Sequence, residues 1–227
     1  MRAEQLYFQS SQDVRALLSE QICPLISLYG LPRSSKERKP SLPDDEKIKG
    51  WVTELRRVTE RFTENNAIPE VSIIVPVHNQ IRFTLACLHS LYANIATDNY
   101  EIIISDDNSS DQTADVFRNS FPRLKYLRNA SDHPGFVRNC NRAAQTARGR
   151  YIVFLNNDVL VLPNWLEELV RTFEEQPNVG IVGSKLIYPE GLLQEAGGIV
   201  FQDGSCWNYG RYQNPWAPQF SYLRDAD

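Results

Sequence analysis

Three short polar runs carry the side chains best suited to chemistry: Pro76-Val77-His78-Asn79, Asp106-Asp107-Asn108-Ser109-Ser110-Asp111 and Asn156-Asn157-Asp158. Each follows a stretch rich in β-branched and aromatic residues, so each marks the end of an expected strand. A strand-end carboxylate such as Asp158 can hold Mg2+ or Mn2+, which takes one or two protein carboxylates and completes its shell with water and phosphate oxygens. Asn156, two residues earlier on an extended chain, would point to the same side and add an oxygen or orient a metal-bound water. Asp106 and Asp107 could accept hydrogen bonds from a base N–H or from ribose hydroxyls. Arg138, near the start of a later helical stretch, could face phosphate or base. An ordinary reading stands beside each of these. Asp-Asn-Ser-Ser-Asp is also turn and N-cap chemistry with Asp111 as the cap, Asn-Asn-Asp is also a turn, and Arg138 is also a solvated helix residue. His78, His89 and His133 are too scattered in sequence to form a metal cluster.

Strand ends act together only when the strands run parallel and side by side. Beyond Pro69, expected strands at 71–75, 101–105, 124–127, 151–155 and 179–182 alternate with helical patterns at 81–95, 111–121, 135–147 and 163–175, the last opened by Pro163. That alternation predicts an α/β fold, a mostly parallel, Rossmann-like sheet flanked by helices, with ligands at the carboxyl ends of its strands. No G-x-G-x-x-G and no Walker loop follows a strand, so a nucleotide would be held by other means. After Lys185 the pattern predicts a strand at 186–188, then a hairpin of 197–201 and 205–209 about Asp203-Gly204, and an aromatic-rich loop from Tyr212 onward.

Upstream, residues 1–10 resemble an expression-tag protease site, with a native amphipathic start as the alternative, and are set aside. Residues 11–30 predict a short helix and 31–45 a Pro- and Ser-rich linker. From Asp45 to about Asn65, Ile48, Trp51, Val52, Leu55, Val58 and Phe62 share one helical face, an N-terminal arm expected to pack on the main domain, with a partner interface as the alternative. The layout is thus residues 1–10, a helical arm and linker over 11–68, and one α/β domain over 69–227.

Composition excludes several partners. With 42% hydrophobic and 23% charged residues the chain is ordinary globular protein. A net charge of −4 and a pI near 5.5 give no basic footprint for nucleic acid. The four cysteines have no C-x-x-C spacing and read as reduced thiols in a cytoplasmic protein. No apolar run approaches the roughly 20 residues of a transmembrane segment.

The blocks Val71-Ser72-Ile73-Ile74-Val75-Pro76-Val77-His78-Asn79, Glu101 through Asp111, Gly135-Phe136-Val137-Arg138-Asn139-Cys140-Asn141 and Gly149 through Asp158 together resemble, in order, family 2 glycosyltransferases of the GT-A nucleotide-diphospho-sugar fold. The resemblance covers about residues 70–210, and Gly191 to Arg211 is similar to bacterial members that build cell-surface polysaccharides. It implies inverting transfer of a sugar from a UDP- or dTDP-sugar to a glycan or lipid-linked hydroxyl acceptor, with Mg2+ or Mn2+ as cofactor. It implies nucleotide-sugar contacts at Pro76, His78, Asn79, Asp106, Asp107, Arg138, Asn156 and Asn157, and a metal ligand at Asp158, the last residue of the family's D-x-D motif. Asn156 replaces that motif's first Asp, which removes one negative charge from the site. The family's general base lies on a later segment. The sequence reaches Asp225-Ala226-Asp227 where that segment is expected, so the base is unassigned and a donor-binding piece without turnover is the alternative. Association with the inner membrane face would come through other parts of the parent protein.

Overall fold

The computed structural model describes residues 45–62, 68–129, 135–189 and 191–225. The expectations for residues 1–44, and those for Cys23, His133 and Asp227, lie outside that set. Two compact units are present, one within Asp44–Pro177 and the other taking in Asn178–Asp227.

The first unit is built on strand β1, Val71–Val77, whose seven residues are all buried. Such a run suits a strand covered on both faces, since β-branched side chains pack well on a pleated surface. It pairs in parallel with β2, Tyr100–Asp106, and with β4, Tyr151–Phe154, while β2 pairs in parallel with β3, Lys125–Arg128. The strand order is β3-β2-β1-β4. Helices fill every crossover: α2 (Ile81–Asn94), α3 (Thr113–Ser120) and α4 (Phe136–Ala144), with α5 (Trp165–Glu175) after β4. Ile74, Ile103 and Ala143 lie at 0% exposure in one cluster that seats α4 on the sheet. Helix α1, Asp45–Phe62, packs on α2 through Trp51, whose ring lies 6.2 Å from that of His89. The expected packing arm is therefore present over its described part.

The order has a consequence for ligands. The chain steps outward from β1 to β2 to β3, then returns to the far side of β1 to lay down β4. The switch point of the sheet, where open α/β folds bind ligands, therefore lies between the carboxyl ends of β1 and β4. Pro76 sits at that point. Ile74 O accepts from Leu155 N at 2.9 Å, so Ile74 and, two residues on, Pro76 turn their backbone groups toward β4. The β1–β4 ladder ends at Ile74 and Phe154. A proline is tolerated in this central strand because its missing N–H falls where no partner strand remains.

The turn before β4 is pressed onto β1. Ser72 Oγ donates to Glu101 Oε1 at 2.7 Å and accepts from Gly149 N at 2.9 Å. Burial opposes ionisation of Glu101, but bonds from Ser72 and Arg148 N and the charges of Lys125 and Arg148 outweigh it and hold the carboxyl below its usual range. A Cβ at Gly149 would lie 2.5 Å from Ser72 N. Gly149→Ala is expected to cost about 1–3 kcal/mol of unfolding free energy, measured as a lower urea midpoint; an unchanged midpoint would show that this turn can retreat.

Helix α5 begins later than its sequence pattern predicts. Pro163 does not open the helix: Asn164, at φ 61, is the N-cap and the helix starts at Trp165. Asn164 N is instead bonded to Asn94 O at 3.1 Å, which turns the chain before helical geometry begins.

In the second unit the strand expected at 179–182 does not form. Ile181 is 91% exposed and the segment joins no ladder, and without a partner strand an apolar β-branched run has nothing to pair with. Strand β5, Leu186–Ile187, pairs antiparallel with β6, Leu193–Glu195, which the sequence reading lacked. The expected hairpin is present as β7, Gly198–Val200, and β8, Cys206–Asn208, with Gly204 at φ +80 in its turn. Lys185 Nζ donates to Pro215 O at 2.9 Å and Phe220 O at 3.2 Å and lies 5.0 Å from the Trp216 ring centre. It ties down the last described turns of the chain.

Candidate functional site

The β1 and β2 ends are clasped to each other. His78 Nδ1 donates to the Asp107 carbonyl at 2.9 Å, which leaves Nε2 facing outward on an exposed side chain. Asn79, at φ 60, takes the left-handed conformation that asparagine tolerates. Its Oδ1 accepts from Ser110 N at 2.7 Å and Asp111 N at 3.2 Å, and its own N–H donates to Ser109 Oγ at 2.7 Å. Asp111 Oδ1 accepts from Thr113 N at 3.0 Å, and Oδ2 accepts from Ile81 N at 3.2 Å. One carboxylate thus satisfies N–H groups at the starts of both α2 and α3, and the bonds it accepts outweigh burial and hold its pKa low. Asn79 and Asp111 hold the rim in shape.

The adjacent acids divide sharply. Asp106 is 0% exposed, and its Oδ1 accepts from Ser109 N at 2.8 Å while Oδ2 meets the Tyr126 hydroxyl and Arg128 Nη1. Arg128 also donates to Asn108 Oδ1 at 3.2 Å and Ser109 O at 2.8 Å. Burial first and then the Asp106 carboxylate push the Tyr126 phenol up to about 12. Asp106, expected at the ligand, has no surface to offer one; it is the anchor of the loop. Asp107 retains 7% exposure, with Oδ1 accepting from Asn129 Nδ2 and Oδ2 from Gly135 N, both at 2.7 Å. These two bonds fix its orientation, and each oxygen keeps a lone pair. Pro76 is buried in β1.

Arg138 lies in the first turn of α4, exposed, beside exposed Phe136 and Val137. A cation there opposes the helix dipole and gains from a nearby anion. The next residue, Asn139, is buried and pins α4 to β2, donating from Nδ2 to Ser105 O at 2.6 Å and accepting from Ser105 Oγ at 2.7 Å.

Beyond β4 the chain is not extended. Residues Asn157 and Asp158 lie in a turn, with Val159 N bonded to Asn156 O at 3.4 Å, so the same-side rule expected for Asn156 and Asp158 does not apply. The side chains of Asn156 and Asp158 are nevertheless both exposed. Asn157 Nδ2 is half-buried and donates to Thr84 Oγ1 at 3.0 Å. The Asn156 carbonyl turns inward, where the Cys87 thiol donates to it at 3.7 Å. Burial, and then the charge of Asp158, push the Cys87 thiol up to about 12, so it stays protonated and remains a donor. Thr84 and Cys87 were invisible as site residues in the sequence, where they look like small residues inside an apolar helix.

A family model described as glycosyl transferase family 2 matches residues 72–220. The chain belongs to this family. The family 2 chain is 35% identical over 138 residues to an O-antigen biosynthesis protein of Myxococcus xanthus, covering 60% of this chain and 11% of that one. It is 33% identical over 131 residues to a GalNAc(5)-diNAcBac-PP-undecaprenol beta-1,3-glucosyltransferase of Campylobacter jejuni, covering 56% of this chain and 42% of that one. A similar solved structure is a Pyrobaculum calidifontis mannosyltransferase in complex with GDP-Man and Mn2+, at 22% identity and TM-score 0.46, over 63% of this chain and 45% of that one. The matched part of the chain therefore spans less than half the length of each of these proteins.

A divalent cation fits the donors at the family 2 motif position. Asp158 is an exposed carboxylate at the switch point, and the Asn156 amide oxygen is the other protein oxygen offered by that motif. Among the described residues no three His, Cys, Asp or Glu side chains gather into a metal cage. One carboxylate, with phosphate and water completing the shell, suits Mg2+ or Mn2+. Asp225 is exposed in an irregular segment. Cys87, Cys140 and Cys206 are free thiols. No helix among the described residues is long and apolar enough to cross a membrane.

Proposed function

We propose that the carboxyl ends of β1, β2 and β4 bind the nucleoside diphosphate of a sugar donor, and that the parent protein transfers this sugar with inversion to a hydroxyl on a glycan or lipid-linked acceptor in bacterial cell-surface polysaccharide synthesis. The observation that carries the reading is the strand order β3-β2-β1-β4, which makes the carboxyl ends of β1 and β4 the switch point, and His78 and the Asn156-Asn157-Asp158 turn follow those two strands. β2 and β4 flank β1 at two strand spacings, about 10 Å, a span suited to a nucleoside with its base at one side and phosphates at the other. Asp107, held by Asn129 and Gly135, accepts the N3–H of uracil or thymine, with Pro76 and His78 beside it. Asn157 lies toward ribose and sugar. Arg138 offers its charge to phosphate or base. Asp158, with Asn156, holds the divalent cation, which supplies Lewis-acid neutralisation of the departing diphosphate. The names of the two bacterial relatives support the polysaccharide setting.

The base assignment is tested with a nucleotide panel in the presence of Mn2+. UDP or dTDP at 100 times its Kd is expected to stabilise the protein by about 2.7 kcal/mol, read as a raised thermal midpoint, with GDP and ADP giving much smaller shifts. A larger shift with a purine nucleotide would overturn the role given to Asp107.

A further inference from the structure

Thr84, Cys87, Ser90 and Asn94 are spaced three, three and four residues apart along helix α2 and therefore lie on one face. All four touch the segment that follows β4. Thr84 Oγ1 accepts from Asn157 Nδ2 at 3.0 Å, the Cys87 thiol donates to Asn156 O, and Ser90 Oγ accepts from Val161 N at 3.1 Å. Asn94 Nδ2 donates to Val161 O at 3.1 Å, and Asn94 O accepts from Asn164 N. Three of them also bond back to their own helix: Thr84 Oγ1 to Gln80 O at 3.5 Å, Ser90 Oγ to Cys87 O at 2.8 Å, and Asn94 Nδ2 to Ser90 O at 3.0 Å. The back-bonds occupy the hydroxyl protons, so the lone pairs of Thr84 and Ser90 face the loop and accept its N–H groups. The contacts reach Asn156 and Asn157 on one side of Asp158 and Val161 on the other.

We propose that this face of α2 is a positioning element for Asp158, and that Thr84 is its leading residue, acting through Asn157 on the metal-dependent part of donor binding. The inference rests on the reading of Asp158 given above. Asp158 is exposed and its carboxylate makes no hydrogen bond or ion pair among the described residues, so its direction is set by the backbone on either side. A helix buried along this face, with Ser90 4% exposed and Thr84 and Cys87 at 0%, supplies a rigid template for that backbone.

The test measures the affinity of UDP or dTDP by calorimetry, with Mn2+ and with EDTA, for the wild type, Thr84→Val and Thr84→Ser. Thr84→Val keeps the shape and removes the acceptor; Thr84→Ser restores it. The expected result is a five- to tenfold loss of affinity in Mn2+ for Thr84→Val, a clearly smaller loss in EDTA, where only the ribose-side contact of Asn157 is disturbed, and recovery to within about twofold in Thr84→Ser. Ser90→Ala, which releases Val161 N, is the second variant and is expected to show the same split if Thr84→Val proves poorly folded. Wild-type affinity in Mn2+ for both Thr84→Val and Ser90→Ala, or equal losses with and without metal, would overturn the positioning role while leaving the donor site standing. A wild-type protein whose affinity ignores Mn2+ would instead overturn the reading of Asp158 on which the role depends.

Discussion

Asp158→Ala is expected to remove the metal-dependent part of nucleotide binding, a loss of about 100-fold or more in Mn2+ affinity, with little change in stability. The side chain is exposed and belongs to a turn whose hydrogen bonds come from Asn156, Asn157 and Val161, so its removal leaves the fold intact. No cluster of three metal-ligating side chains exists among the described residues to take its place. Electron paramagnetic resonance of Mn2+ titrated into the nucleotide complex reads the loss directly. Bound Mn2+ at wild-type affinity in Asp158→Ala would show that the ligand is elsewhere.

The neighbouring strand end predicts an effect of the opposite kind. Asp106→Ala is expected to lower the unfolding free energy by about 3 kcal/mol, because it strips the fully buried carboxylate from the Tyr126 hydroxyl, the Arg128 guanidinium and Ser109 N at once. Arg128 keeps Asn108 and Ser109 O as partners, which limits the cost. Asp106→Asn, with the same volume and one remaining acceptor, should recover part of it. Urea denaturation of the three proteins decides: a loss below about 1 kcal/mol in Asp106→Ala would mean that this network does not hold the loop.

The contrast between Asp106 and Asp107 marks how far the sequence can be read. It shows two adjacent acids after a strand, and alternation sends their side chains to different surroundings without saying which is which. Tyr126 and Arg128, on the next strand, decide that Asp106 is buried, and their alignment with it depends on the β2–β3 register. The parallel strands and their polar ends were legible because β-branched runs and Asn/Asp turns are local signals. The failed strand at 179–182 had the local signal and no partner. Pro163 failed as a helix opener because the left-handed Asn164 follows it. Thr84, Cys87, Ser90 and Asn94 escaped notice because a small polar residue in a mostly apolar helix has no visible purpose until the segment packed against it is known.

On the proposed reading, the switch point between β1 and β4 is a metal-assisted site for a nucleoside diphosphate. Calorimetric titration of the protein with UDP and with dTDP, in Mn2+ and again in EDTA, tests it most directly. Saturable one-site binding of at least one of the two nucleotides is expected in Mn2+, with a clear loss of affinity in EDTA. Binding of equal strength in both conditions would contradict the role of Asp158, and no binding of either nucleotide in Mn2+ would contradict the donor site itself.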